Sequence, residues 1–487
     1  MGTPSDLLAG ESSEPAWPAA LADLPELRVS GAGRRVLRLP ELDNVPLTPA
    51  VVELIDHPHF QRLRRVRQLG PTLLVYPGAT HTRFEHSVGA YGVAVRYMRS
   101  LLQHAHVRAA LDAVDVRTVL AAALLHDVGH YPFAHTLEAL HHQGMDAPRH
   151  ELLARDIVFG TAPGLPALRT SLAHVLERSL RVDPERVLGL ITRPRDALGS
   201  PVDRLLQSVI SSALDADKMD YLWRDSVHLG VPYGRNYDRE RLLNALTTTA
   251  DGDAIAVTGK GVISAEIFLF CRYTMYSEVY WHHTVRSLSA MLERAWADLA
   301  AREALDAQEM TSRLLGVGDD ELLRTLAAEA PPRSVAALVL GAMSFDRRRP
   351  YKRVVTWSRA YNEPDKLAAY ERLYAMSAEE HGRLVARLRK LLARGSRALP
   401  DGTLILDVPP RDKDRQPDVA VHRARAHGGE GEYTSLRESS RIVRAIGDDF
   451  LDVVKKIRLF VHPDHAAPLA ADPPGTERIV MEAVLTA

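Results

Sequence analysis

The chain has 487 residues, 46% hydrophobic and 25% charged, with 61 Lys and Arg against 62 Asp and Glu. It is long enough for two or three domains, or one large domain with appendages, and its near-zero net charge gives no argument for bulk attraction to nucleic acid. No run of 18 apolar residues exists, Met1 to Leu21 lacks a signal pattern, and Cys271 is the only cysteine, which excludes an internal disulfide or a Cys-rich zinc site and predicts a cytoplasmic protein with no membrane contact.

In chain order, residues 1–30 are rich in Ala, Pro, Ser and Glu and read as a flexible tail. Arg34 to Leu47 alternates as a β-hairpin turning at Asp43-Asn44. From Pro49 to about Leu229 the apolar spacing is helical, broken at Gly70-Pro71, Pro77-Gly78 and Gly129 to Pro132. Thr247 to Lys260 reads as a second hairpin around Ala250 to Asp253. Ala265 to Ala301 is one long helical pattern, and further helices run to about Leu392. Pro409 to Glu432 is polar, charged and Gly/Pro-bearing, as in a mobile linker. Beyond it come a short helix near Ser440 and two strand-like runs, Ile457 to Val461 and Arg478 to Val484. The expected fold is mainly α: a tail (1–30), a helical core with small hairpins (31–300), a helical extension (301–408), a linker (409–434) and a mixed α/β C-terminal region (435–487).

The chemistry concentrates at His126-Asp127, which ends the wholly apolar run Val119 to Leu125. Ionisable side chains at the end of a buried helix need a partner or a metal. Imidazole beside carboxylate suits Mn, Fe, Ni or Zn, and a buried His–Asp hydrogen bond suits the residues equally well. Ten of the 21 histidines fall between His81 and His150. Even spacing would put about three there, so the region is enriched as a metal or acid–base site requires. His104, His106, His141 and His142 lie in polar surroundings and read as surface residues.

Three further segments carry candidates. On a helix, Ile210, Leu214, Asp217 and Tyr221 share one face, so Asp217 interrupts an apolar stripe. It is read either as a third ligand from a facing helix or as part of an ion-pair ladder in which Asp217 or Asp220 meets Arg224. His86 opens the apolar helix Val88, Tyr91, Val95, Met98. Arg83 just before it suits a phosphate or a salt bridge to Glu85. His150-Glu151 pairs a carboxylate with an imidazole, as a general acid or as surface residues. Arg272, Tyr276, Tyr280 and His283 share a face of the long helix. Two basic clusters, Arg62 to Arg67 and Arg347 to Arg353, are either solvated faces or phosphate contacts.

Together, Thr80 to Ser87, Leu124 to His135, His150-Glu151 and Leu214 to Asp225 resemble the HD-domain phosphohydrolases. Within them the chain looks most like the deoxynucleoside triphosphate triphosphohydrolases, the group that includes the SAM-and-HD-domain dNTPase. Ile55 to Gly70 and Tyr76 to Ala79 fit the same group, and the similarity spans about residues 34–290. The resemblance implies an HD-domain helical bundle and one divalent metal ion (Mn, Fe, Ni, Zn or Mg) on His86, His126, Asp127 and Asp217. It implies a triphosphate, with its own Mg2+, at Arg83, Lys218, Tyr221 and Arg272. Asp225 would meet the sugar 3′-hydroxyl, Tyr280 would lie under the deoxyribose, and Gln68 and Leu69 would line sugar and base. His130, His135 and His150, with Glu151, are the acid–base candidates. Trp281 departs from the family member compared, which has an amide there, and this puts base preference in question. By the same resemblance Asp56, Gln61 and Arg64, with Arg348 and Lys352, match a site for an activating GTP or dGTP in a homo-oligomer, dimer or tetramer.

The reaction implied is hydrolysis of a deoxynucleoside triphosphate (dNTP) to deoxynucleoside and inorganic triphosphate, with no nucleic acid required. The alternatives are an HD phosphohydrolase acting on a nucleoside monophosphate, a cyclic dinucleotide or a single-stranded nucleic-acid end, and a nucleotide- or RNA-binding module with a vestigial metal site.

Overall fold

The computed structural model describes residues 24–27, 35–40, 42–140, 149–303, 307–344, 347–360, 363–393, 398–410, 418–423 and 431–487. The helices and strands that position the site are labelled in chain order. They are β1 (Arg35–Leu39), β2 (Leu42–Leu47), α1 (Pro49–Asp56), α2 (Arg83–Leu101), α3 (Ala113–Leu125), α4 (Ala134–Glu138), α5 (His150–Phe159), α6 (Pro201–Ile210), α7 (Ala216–Leu229), β3 (Leu246–Thr248) and β4 (Ile255–Thr258). After them come α8 (Val262–Met275), α9 (His283–Glu303), α10 (Asp319–Glu329), β5 (Lys352–Trp357), α11 (Pro364–Ala375), α12 (Ala378–Leu391), β6 (Leu404–Asp407), β7 (Ala420–Arg423), β8 (Glu432–Ser435), α13 (Arg441–Val454), β9 (Ile457–Val461) and α14 (Pro473–Leu485).

The centre of the molecule is α2 packed between α3 and α7. The second half of α3 is apolar on every side, and Val119 to Leu125 are all buried. The helix begins at a capping box in which Asp112 accepts from Val114 N and Asp115 N, while Asp115 accepts from Asp112 N. Helix α2 carries the small residues Ser87, Gly89, Ala90, Gly92 and Ala94, which let its neighbours approach closely. A Cβ on Gly89 would collide with the Arg224 guanidinium and the Asp220 carboxylate, so glycine is what admits that buried ion pair against α2. Helix α7 is capped by Asp215, which accepts from Lys218 N at 2.7 Å and from Ser212 N at 2.7 Å. That cap starts a new helix, so Ile210 (the end of α6) and Leu214 do not share a helical face with Asp217, contrary to the sequence expectation.

Other expectations are corrected as well. Leu39 pairs with Leu42, which sets the first reversal at Pro40; Asp43 and Asn44 lie inside β2. Pro40 fixes its own φ and supplies the turn. Leu24 and Leu27, in the expected tail, are buried in the main core. The long pattern 265–301 is two helices, because a π turn at Tyr276–Tyr280 and the non-helical Trp281 separate α8 from α9. The expected linker 409–434 contains β7 and most of β8, which complete a sheet of order β3-β4-β7-β8. The alternating Val419 and Val421 are buried there, which the surrounding charged composition hid. Residues 411–417 and 424–430 of that segment lie outside the described residues.

A second core unites the expected helical extension with the C-terminal region. Strand β9 runs between β5 and β6, antiparallel to both, and α11, α12 and α14 cover this sheet. Trp357, Tyr370, Leu388, Leu459 and Val484 pack together in it. Arg478 to Val484 is part of α14, not a strand. Its buried residues Thr476, Val480, Ala483 and Val484 follow helical spacing, and that period outweighs the β-branched composition.

Gly89→Ala is expected to destabilise the protein by about 1–3 kcal/mol, the usual cost of overpacking, and so to lower Tm in a thermal melt. An unchanged Tm would mean that α2 and α7 do not approach as described.

Candidate metal centre

Four ligand-type side chains converge from three helices. His86 lies in the first turns of α2, His126 and Asp127 follow the last residue of α3, and Asp217 is the second residue of α7. His86 Nε2 is 3.2 Å from His126 Nε2, 3.0 Å from Asp217 Oδ1 and 3.8 Å from Asp127 Oδ2. His126 Nε2 is 3.4 Å from Asp217 Oδ1 and 3.5 Å from Asp127 Oδ1. Donors that share an ion at about 2.0–2.2 Å sit roughly 3–4 Å apart, so His86, His126 and Asp127 can hold one divalent cation, with Asp217 within reach of both imidazoles.

The residues behind the ligands fix which nitrogen faces the centre. His86 Nδ1 meets Asp220 Oδ2 at 2.9 Å, and His126 Nδ1 meets the Ala123 carbonyl at 2.8 Å. Each Nδ1–H therefore donates outward and each Nε2 turns its lone pair inward, the usual orientation of metal-ligating imidazole. Asp220 is gripped by Arg224 at 2.6 and 2.9 Å, and Arg224 reaches Glu85 at 2.8 Å. The ion-pair ladder thus uses Asp220 and leaves Asp217 to the centre. Burial alone would lower the His86 pKa, but hydrogen bonds to Asp217 and Asp220 and the charge of Asp127 push it up to about 10. Burial likewise opposes ionisation of Asp127, yet Arg83, His126 and His86 hold it far below the carboxylate range. A field that draws a proton this strongly also draws a metal cation, and the two compete for the same lone pairs.

These four residues open onto a cavity of about 850 Å³. Gln68, Leu69, Arg83, Lys218, Tyr221, Asp225, Arg272 and Tyr280 line it, as do His130, His135, His150 and Glu151. Arg83 pairs with Asp127 at 2.7 Å rather than with Glu85. Lys218 Nζ donates to Asp215 at 2.7 Å. Tyr280 donates to Asp225 Oδ2 at 2.6 Å, and His81 Nε2 meets Asp225 Oδ1 at 2.7 Å. Arg272 lies 5.3 Å from the Tyr276 ring centre. His283, beyond the break after the π turn, is not part of the lining.

The acid–base partner differs from the expected one. His150 Nδ1 is 2.6 Å from Glu138 and 3.6 Å from Glu151, whose side chain is half exposed. A Cβ on Gly129 would meet the His150 carbonyl and Ala154 N, so this glycine lets the start of α5 settle over the loop after His126-Asp127. Glu138 and His81 carry no distinguishing sequence signal beyond lying in the histidine-rich stretch, and Asp220 is marked there only as an ion-pair partner of Arg224. Arg62 was assigned to a basic cluster, yet it is buried and donates to the carbonyls of Val128 and His130, shaping that same loop. Burial pushes its pKa down to about 9. Arg67 pairs with Asp320 at 2.8 Å, so the Arg62 to Arg67 cluster is largely spoken for. His104 and His106 reach Leu246 O and Thr248 Oγ1; His141 and His142 lie outside the described residues.

The five residues matched to an activator site are not gathered in this cavity. Asp56 is exposed at the end of α1, Gln61 accepts from Arg64 Nε at 2.7 Å, and Arg64 lies 3.5 Å over the Phe84 ring. Arg348 donates to the Leu74 carbonyl, and Lys352 lies on β5 opposite Val461. Among the described residues no hydrogen bond or ion pair joins the first three to the last two.

Residues 83–184 match the model of the HD domain, and residues 237–466 match that of the HD associated region. The chain carries an HD domain. It is 36% identical over 242 residues to the uncharacterized protein YwfO of Bacillus subtilis, covering 50% of each chain. It is 30% identical over 295 residues to the deoxynucleoside triphosphate triphosphohydrolase SAMHD1 of Gallus gallus, covering 57% of this chain and 47% of that protein. The chain thus spans about half the length of the curated relatives it matches. A hypothetical protein from Aquifex aeolicus shares the fold with a TM-score of 0.63 at 24% identity, over 91% of this chain and all of that one. The HD-domain match includes His86, His126 and Asp127, whereas Asp217 falls between the two matched regions.

His126→Ala and Asp217→Asn are each expected to weaken Mn2+ binding by 10-fold or more, about 1.4 kcal/mol per decade, in titration calorimetry of the chelator-treated protein. Wild-type affinity in either variant would remove that residue from the centre.

Proposed function

We propose that this HD domain hydrolyses deoxynucleoside triphosphates to deoxynucleoside and inorganic triphosphate. The observation that carries the reading is one cavity holding the four-ligand centre together with Lys218, Arg272, Tyr221 and the Asp225–Tyr280 pair. The similarity to a relative named for this activity supports it. Several cations beside a metal centre suit a triphosphate better than the single phosphate of a monophosphate or a nucleic-acid end.

His86, His126, Asp127 and Asp217 would hold one divalent ion, whose chemistry is Lewis-acid stabilisation of phosphoryl charge. Arg83, Lys218 and Arg272 bind the anionic oxygens, with Lys218 held in place by Asp215 and Arg83 by Asp127. Tyr221 adds a hydroxyl donor. Each Asp225 oxygen already takes one hydrogen bond, and a carboxylate oxygen accepts two, so a sugar 3′-hydroxyl can still bind there. Tyr280, oriented by that bond, packs against the sugar, while Gln68, Leu69 and Trp281 face sugar and base. His150, oriented by its hydrogen bond to Glu138, donates a proton to the departing 5′-oxygen. His130 and His135 stand beside it, 3.8 and 5.6 Å from its ring centre. Activation by GTP or dGTP through Asp56, Gln61, Arg64, Arg348 and Lys352, with homo-oligomerisation, belongs to the same reading. An effect of GTP on rate and sedimentation coefficient tests it, and no effect on either removes it.

The direct test incubates the protein with each dNTP and Mn2+ and separates products by ion exchange. Inorganic triphosphate is expected; phosphate or diphosphate without triphosphate would sink the reading. Lys218→Gln should lower kcat/KM by roughly 10- to 100-fold, the loss of one charge-assisted hydrogen bond. An unchanged kcat/KM would take Lys218 out of substrate binding.

A further inference from the structure

The wall of the cavity assigned to sugar and base is held from the HD associated region. Residues 66–68 pair antiparallel with residues 81–83 at the start of α2. Arg67 stands opposite Thr82, Gln68 N donates to the His81 carbonyl at 3.1 Å, and Arg83 N donates to the Val66 carbonyl at 2.9 Å. Gln68 and Leu69 line the main cavity, whereas Arg67 and Thr82 border a second, smaller one of about 350 Å³. There the Arg67 amide donates at 2.9 Å to Oδ2 of Asp319, the first residue of α10 and 252 residues further along the chain. A Cβ on Gly318 would lie 2.8 Å from the Arg65 carbonyl oxygen, so this glycine lets α10 begin against the pairing. Leu322 and Leu326 fix the helix in the main core. Asp319 is 2% exposed, and its Oδ1 is buried with no hydrogen-bond partner among the described residues. The cations near it are bound elsewhere: Arg67 to Asp320 at 2.8 Å, Arg65 to the Gly316 carbonyl at 3.2 Å, and Arg83 to Asp127 at 2.7 Å. Arg64, Glu321 and Arg324 border the smaller cavity. Burial outweighs the Arg67 and Arg83 charges, and the Asp319 carboxyl is pushed up to about 6. An ordinary aspartate titrates near about 4, so the folded chain holds this proton more tightly than the unfolded chain, and ionisation costs stability that is fully felt above pH 6. A neutral side chain would serve the fold better here, and a local rule broken at a cost marks functional positions.

We propose that Asp319 is a positioning residue for the nucleoside end of the substrate: through the Arg67 amide it sets where Gln68 and Leu69 stand. It lies outside the lining of the main cavity and touches no substrate. The hydrogen bond is charge-assisted, which makes it roughly twice as strong as a neutral one, and the N-terminus of an 11-residue helix steadies the carboxylate from its own side. Lys218 and Arg272, which take the triphosphate, sit on α7 and α8 and are not held by this anchor. Loss of the anchor therefore lowers affinity for the nucleoside and spares affinity for the triphosphate. What the wall receives rests on the reaction proposed above, whereas the anchoring does not.

The test compares full-length wild type, Asp319→Ala, which removes the anchor, and Asp319→Asn, which keeps an acceptor and removes the charge. Hydrogen exchange reads the anchor: amides of residues 66–69 should exchange about 10-fold faster in Asp319→Ala and near the wild-type rate in Asp319→Asn, with α7 unchanged in both. Titration calorimetry of the Mn2+-loaded protein reads the consequence. Deoxynucleoside affinity should fall roughly 10-fold in Asp319→Ala, the worth of one charge-assisted hydrogen bond, while affinity for inorganic triphosphate stays at the wild-type value. Asp319→Asn should raise Tm at pH 7.5, an advantage that shrinks as the pH is lowered to 5. Gly318→Ala, which pushes α10 off the pairing and leaves Asp319 in place, should repeat the Asp319→Ala pattern and serves if that variant does not fold. Unchanged exchange at residues 66–69 in Asp319→Ala overturns the proposal. Faster exchange with deoxynucleoside affinity unchanged, or with both affinities lost equally, also overturns it. Faster exchange in a protein whose wild type binds neither ligand supports the anchor and removes the proposed reaction.

Discussion

The site depends on two imidazole edges being turned toward each other inside a helical bundle. His86 and His126 bring their Nε2 atoms to 3.2 Å, and each ring is held from behind by a buried acceptor. Neither ring can rotate away without giving up its buried hydrogen bond, at a cost of about 1–3 kcal/mol. The constraint continues outward through Arg224 to Glu85 and His228, so a charged chain ties α2 to α7. Buried charges of this kind persist because each has a partner with good geometry, and removing one leaves the next uncompensated.

The centre is assembled from helix ends. His86 and Asp217 lie near the N-termini of α2 and α7, His150 begins α5, and His126 caps the C-terminus of α3. Side chains at helix ends can reach a common space that side chains in mid-helix, packed against neighbours, cannot. Three of the four ends are N-termini, whose partial positive charge favours phosphate. The loop after Asp127 closes the arrangement, pinned by Arg62 from below and overlain by α5 where Gly129 has no side chain.

How much of this was legible in the sequence depended on whether the signal was local. His126-Asp127 stood out because ionisable residues follow a run that is apolar on all sides. Asp217 was reached by a partly mistaken route: its i, i+4 relation to Tyr221 holds within α7, but the helix begins after Asp215 and does not include Ile210. Glu138, His81 and Arg62 had no comparable signal, since each matters through what the fold places against it, while Asp220 was legible as an ion-pair partner of Arg224 but not as the support of His86. The same limit hid β7 and β8, whose partner strand lies more than 160 residues upstream at Ala256 to Thr258. It also hid the sheet that draws β9 between β5 and β6, because pairing partners are a tertiary property.

The account's central claim is that His86 and His126 face one ion together with two carboxylates. X-ray absorption fine structure on protein loaded with one equivalent of Co2+ tests it most directly. Two imidazoles and additional oxygen donors at about 2.0–2.2 Å are predicted, with one imidazole lost in His126→Ala. A spectrum without imidazole scattering, or one that His126→Ala leaves unchanged, would contradict it.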